Sequence, residues 1–133
     1  MLTGSMQQQT IPTSWVEVGD SAAFTKTVTE SDVAMFCEIS GDFDPIHVDA
    51  EHASRTVFGQ RIAHGALSIA VLSAASSMIS KLAVDRGNPG VSISMGYDRI
   101  RFLKPVFIGD TLNASYTVED IDAASSRTRG RMA

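Results

Sequence analysis

From Ala66 to Val84 the chain runs through Ala, Leu, Ile, Val and Met with scattered serines, and Gly87 is placed to stop it. As a helix rising 1.5 Å per residue, this stretch is roughly 30 Å long. Its apolar residues occupy most of the circumference instead of one stripe, so other structure has to enclose it. A membrane span is the competing explanation, but Ser68, Ser73, Ser76, Ser77, Ser80 and Lys81 interrupt the run. The expectation is a buried core helix, with no membrane as partner.

The enclosure has to come from the rest of the 133 residues, of which 44% are hydrophobic. A chain of this size buries roughly two-thirds of its unfolded surface, enough for one globular domain without disulfides or a structural metal. Cys37 is the single cysteine and has nothing to bridge. One thiol suits a reducing compartment, and with no charged-then-apolar leader in the sequence a cytoplasmic location is expected. The net charge of -4 is uneven: residues 1–66 carry 9 acids and 3 bases, residues 67–133 carry 6 acids and 8 bases. No Lys/Arg stripe exists to displace counterions, which argues against nucleic acid as partner. Arg99, Arg101 and Lys104 are closely spaced enough to hold a small phosphorylated ligand, or are simply solvated strand charges.

Residues 1–13 mix Gly, Ser and a Gln run without periodicity and are expected to be a flexible N-terminal segment, with the folded domain over 14–133. Residues 23–29 alternate as a strand would. Thr29 with Asp32 three residues later resembles a helix start, and Val33, Met35, Phe36 and Ile39 supply its apolar side up to Gly41. Pro45 then keeps Asp44 extended, so that residues 41–47 form a fixed polar turn. Asp49 is a candidate N-cap for a brief helix through Arg55. After the long helix, residues 91–107 alternate and read as antiparallel strand, and Gly109-Asp110 is a turn before residues 111–118. One long helix with several strands that need no crossover implies an α+β fold whose curved antiparallel sheet wraps the helix.

All three histidines, His47, His52 and His64, fall with Asp42, Asp44 and Asp49 inside one short interval. An imidazole changes charge near neutral pH, and a carboxylate beside it can orient it or share acid–base work. The spacing fits neither His-Glu-x-x-His nor a calcium loop, so no metal is expected. The plainer alternative is that Asp42 and Asp44 close the turn through hydrogen bonds to backbone, with His47 packed at the surface. Cys37 lacks basic neighbours in sequence and reads as a structural thiol.

Residues 40–47, Ser-Gly-Asp-Phe-Asp-Pro-Ile-His, followed by residues 58–65, Phe-Gly-Gln-Arg-Ile-Ala-His-Gly, resemble the MaoC-like dehydratase and R-specific enoyl-CoA hydratase family. Similarity extends over the long helix and Phe102-Leu103-Lys104-Pro105-Val106 with Gly109-Asp110, so it spans about residues 15–120. The resemblance implies a hot-dog fold, a homodimer or larger homo-oligomer, an acyl-CoA thioester substrate and reversible syn hydration to the R-3-hydroxyacyl product. Coenzyme A is then part of the substrate, and no separate cofactor is implied. It places the catalytic pair on Asp42 and His47, which would hold the attacking water, and an oxyanion-binding N–H on Gly65. That last placement has an independent reason: Gly65 precedes the long helix, whose first N–H groups lack internal partners. Supporting positions are Asp44, Ser73, which can bond toward the pair or back to its own helix, and His64, which shapes the loop.

Two departures stand out. Asp44 replaces the family's usual asparagine, which removes an amide donor and puts a second carboxylate beside Asp42. Residues 126–132 look like only the start of a strand where relatives continue, so the last strand is expected to be short or missing, leaving an edge that pairs in an assembly or lowers stability. The rival functions are a non-catalytic thioester-binding or scaffolding subunit, and a thioesterase, which shares the fold but not the motif.

Overall fold

The computed structural model describes residues 15–133; the expected flexible segment at 1–13 lies outside them. Its elements are β1 (Ser21–Thr27), α1 (Glu30–Ser40), α2 (Pro45–Val48), α3 (Ala50–Ser54), α4 (Gly65–Asp85), β2 (Thr111–Asp122) and β3 (Arg127–Met132). Among the described residues the strands form one antiparallel sheet in the order β1-β2-β3. Register runs from Ser21 opposite Thr117 to Thr27 opposite Thr111, then from Tyr116 opposite Met132 to Asp122 opposite Arg127, with an irregularity between Val118 and Asp120. β3 is six residues long, and its glycine is required: a Cβ on Gly130 would stand 2.3 Å from the Tyr116 ring.

Local chemistry sets the helix ends. Thr29 and Asp32 form a reciprocal capping box on α1, each side chain accepting the other's backbone N–H. Lys26 reaches the same Asp32 at 2.6 Å and holds its carboxyl below the usual range. Gly41 ends α1 at φ 77°, a left-handed conformation that glycine adopts without Cβ strain, and its N–H donates to the Cys37 carbonyl at 2.8 Å. The strand expected at 23–29 forms two residues earlier, and the brief helix after Asp49 forms with Asp49 as N-cap.

α4 lies on the sheet through Leu67, Val71, Ala75, Ile79 and Ala83. The first three join Val28, Val33, Cys37, Ala63 and Ala114 in one core cluster, and the last two join Val16 and Val118 in another. The expectation that α4 is enclosed on all sides is corrected: one stripe is buried while Ala66, Ala70, Ser77 and Met78 stay exposed. α4 is long and apolar enough by length and composition to cross a membrane, yet this stripe is spent on the sheet.

The second correction concerns residues 91–107. They form no strand except a single bridge of Phe107 to Ile62, and Val91, Ile93, Met95, Phe102 and Leu103 are exposed. Alternation records a capacity for sheet but does not bring a segment into register with an edge: among the described residues β1 and β3 each keep an outer edge, and residues 91–106 pair with neither. Residues 91–103 and one side of α4 thus leave apolar side chains exposed.

Candidate active site

Three short pieces build the site: the turn after α1, α2 with the segment before α4, and the first turn of α4. Asp44 spends its carboxylate on capping, accepting the Ile46 N–H at 3.0 Å, with Pro45 at the first position of α2. The expected irregular turn at 41–47 therefore ends in a single helical turn that the sequence reading did not anticipate. Asp42 is held at its own N–H by the Ser40 hydroxyl at 3.1 Å, and its Oδ1 accepts the Asp44 N–H at 3.2 Å. The rest of its carboxylate faces solvent, as the residue is exposed.

His47 sits on α2, almost buried, with Nδ1 2.7 Å from the Ile62 carbonyl. A carbonyl only accepts, so Nδ1 carries the hydrogen and the neutral ring presents a bare Nε2. The same strip is fastened again where the Ile62 N–H donates to the Ile46 carbonyl at 3.3 Å and the Ala63 N–H to that of Val106 at 2.7 Å. Arg61 adds an ion pair to Glu30 of α1.

His64 stacks on His47 with ring centres 3.8 Å apart and planes 28° apart. Its Nε2 lies 3.0 Å from the Asp42 carbonyl and 3.7 Å from the Cys37 Sγ, while its Nδ1 is buried without a partner. Asp42, His47 and His64 thus each bring a ligand-type atom within 4.8 Å of one another. An ion bound at about 2.0–2.1 Å to both imidazoles would have to lie in both ring planes, and stacked rings aim their lone pairs nearly parallel, so the cluster is shaped for hydrogen bonds more than for a metal.

His64 also immediately precedes α4 and gives it no side-chain cap; the Leu67 N–H turns back to the His64 carbonyl at 3.0 Å, and the Gly65 N–H, at the positive end of the helix dipole, has no intrahelical partner. A side chain at Gly65 would be tight: a Cβ there would stand 3.0 Å from the Phe102 ring, which would have to shift by a few tenths of an ångström. Phe102, read in the sequence only as part of a matching motif, therefore walls the helix start. The Ile62 carbonyl that fixes His47 had no sequence signal, since any residue could supply it.

The structure brings together Asp42, His47, His64 and Gly65 and leaves others apart. Ser73 is half-buried two turns into α4; its carbonyl accepts from Ser76, and among the described residues no hydrogen bond joins it to Asp42 or His47. His52 is exposed on α3. Arg99, Arg101 and Lys104 are all exposed, Arg101 donating to the Ile100 carbonyl. Cys37 is fully buried, as a structural thiol should be, but its neighbour is an imidazole that sequence proximity did not reveal.

A family model described as "MaoC like domain" matches residues 16–132. The chain is 39% identical over 103 residues to an (R)-specific enoyl-CoA hydratase of Rhodospirillum rubrum, covering 77% of this chain and 66% of that protein. It is 38% identical over 119 residues to a 3-hydroxybutyryl-CoA dehydratase of Methylorubrum extorquens, covering 89% and 69%. The solved structure of an R-hydratase from Pseudomonas aeruginosa superposes with a TM-score of 0.68 at 32% identity, covering 88% of this chain and 78% of that one. The chain thus spans about two thirds of the length of these curated relatives.

Proposed function

The chain belongs to the MaoC-like dehydratase family, with its hot-dog fold, and on that premise we propose that it is a hydro-lyase that adds water reversibly across a trans-2-enoyl-CoA to give (R)-3-hydroxyacyl-CoA. The observation that carries this reading is the tethering of the His47 Nδ1–H to the Ile62 carbonyl, which leaves Nε2 for proton transfer in an imidazole that shares one cluster with the carboxylate of Asp42. Water held there gives its hydroxyl to the β-carbon and a proton to the pair, and one proton reaches the α-carbon, so atoms and charge balance over the cycle. The electron pair of the double bond moves onto the thioester oxygen as an enolate, which the Gly65 N–H at the positive end of α4 stabilises. Asp44 supports this by capping, not by chemistry. No step requires a resident cofactor, and a coenzyme A substrate agrees with a cytoplasmic setting.

The working unit in this reading is a homodimer or higher homo-oligomer. The exposed, alternating residues Val91, Ile93 and Met95 can pair with the same segment of a second copy, since a two-fold axis makes antiparallel strands self-complementary. Partner structure there would cover Phe102 and the free side of α4. The test of function is the fall in enoyl-thioester ultraviolet absorbance after adding crotonyl-CoA. Turnover that survives in Asp42→Asn removes that residue from the mechanism, and release of free CoA thiol would instead mark a thioesterase.

A further inference from the structure

We infer that His64 is the positioning residue for both members of the pair: its Nε2–H holds the Asp42 carbonyl and its ring backs the imidazole of His47. The inference deepens the hydration reading and rests on it.

The ring is 2% exposed and lies between Phe36, 4.7 Å away centre to centre, and His47, 3.8 Å away. Its Nε2 faces a carbonyl oxygen, which cannot donate, so the hydrogen sits on Nε2 and Nδ1 is bare. Cys37 stands beside the same nitrogen at 3.7 Å, and because a thiol can donate or accept weakly it is compatible with either tautomer, so the assignment rests on the closer carbonyl. Nδ1 is then a buried acceptor with no donor. Such a group is a net loss to the fold, and a phenylalanine would fill the same stack without it. What phenylalanine lacks is the Nε2–H, so the hydrogen bond to Asp42 is what the histidine contributes.

That bond matters because Asp42 is otherwise loosely held. It is exposed and follows a left-handed glycine. Its backbone is pinned at the N–H by Ser40 and at the carbonyl by His64, and the second tether ties the turn after α1 to the start of α4. His64 thereby couples the carboxylate, the stacked imidazole and the adjacent Gly65 N–H in one rigid unit. A displacement of about 1 Å in such a unit can cost about 10²-fold in rate.

Two substitutions separate the contributions. His64→Phe keeps the stack and loses the donor, and His64→Gln keeps a donor amide and loses the ring. With crotonyl-CoA, His64→Phe should lower kcat by about 10²-fold while KM stays within about 3-fold, and His64→Gln should recover about 10-fold of that loss. Nitrogen-15 NMR of the wild-type imidazoles, which needs no turnover, should show Nε2 protonated and Nδ1 bare at His64. The positioning role is overturned by an Nδ1-protonated ring, by near-normal kcat in His64→Phe, or by equal losses in the two variants. A wild-type protein inactive on every enoyl thioester, with the expected tautomer present, overturns the hydration reading instead. If His64→Phe does not fold, the tautomer and the kcat of His64→Gln, expected within about 10-fold of wild type, decide the matter.

Discussion

Residues 41–64 and residues 91–104 are opposite halves of one problem. The first is tightly fastened: Gly41, Asp42, Asp44, His47, Ile62 and His64 all take part in hydrogen bonds that fix the turn, and every one of those partners lies within the same chain. The second is rich in Val, Ile, Met, Phe and Leu, yet Val91 and Leu103 are 87% and 88% exposed. Polar groups of short reach are satisfied by neighbours a few residues away, whereas an apolar strand is satisfied only by a long, matched surface. The proposed catalytic pair is therefore a local product of the sequence, whereas the apolar segment beside it finds no matched surface within the described residues.

The comparison breaks most severely at the pair. Asp42→Asn and His47→Ala should each reduce hydration of crotonyl-CoA by about 10³-fold, with circular dichroism unchanged, because proton transfer is lost while the fold is not. Next comes the second region: Ile93→Lys together with Met95→Lys should weaken self-association by about 10²-fold, read by sedimentation equilibrium. If the two regions are as separate as described, that variant keeps the His47 tautomer in nitrogen-15 spectra even where activity falls. A persistent wild-type dimer would mean that the copies meet elsewhere.

Gly65, the residue after the first region, lies beside Phe102 of the second, which sharpens the contrast. Gly65→Ala should lower kcat by about 10-fold because the new methyl group, 3.0 Å from the Phe102 ring, pushes the helix start or the ring aside. Adding Phe102→Ala should restore part of the loss, and strictly additive losses would show that the ring is not the obstacle.

The smallest effect lies away from both. Asp20 is held below the usual carboxylate range chiefly by its hydrogen bonds from Arg86, at 2.5 and 3.0 Å. A depressed folded-state value means that this ion pair stabilises the protein above the unfolded carboxylate's value of 3.8 and that the contribution fades as pH falls through the folded value. Asp20→Asn should therefore lower Tm by roughly 3–6 °C at pH 7, with the gap to wild type closing as the pH falls below 3.8 through the folded carboxylate's lower value.

What was legible in the sequence follows the same division. Thr29 with Asp32, Gly41 and Asp49 act within a few residues, and the helices they bound fall close to where those residues put them, whereas the single turn that Pro45 opens was not foreseen. The resemblance over residues 40–47 and 58–65 assigned Asp42, His47 and Gly65; the structure clusters the first two with His64, and Gly65 follows His64 as the first residue of α4. Two things were out of reach. The contact of Cys37 with His64 joins residues 27 apart and depends on how α1 meets the start of α4. The fate of residues 91–107 depends on which edges are free to pair, and alternation in one strand carries no information about its neighbour.

The buried stripe of α4 steps by four residues each time, from Leu67 to Ala83. Four residues overshoot a 3.6-residue turn by about 40°, so the contact line spirals roughly 160° around the axis over its length. A planar floor would lose touch with such a line about halfway. The sheet beneath has to coil with it, which accounts for the division of the core after Ala75 into one cluster shared with α1 and another shared with Val16 and Val118. Substituting at 75 or 79 should therefore disturb different ends of the domain, although the two positions lie one helical turn apart.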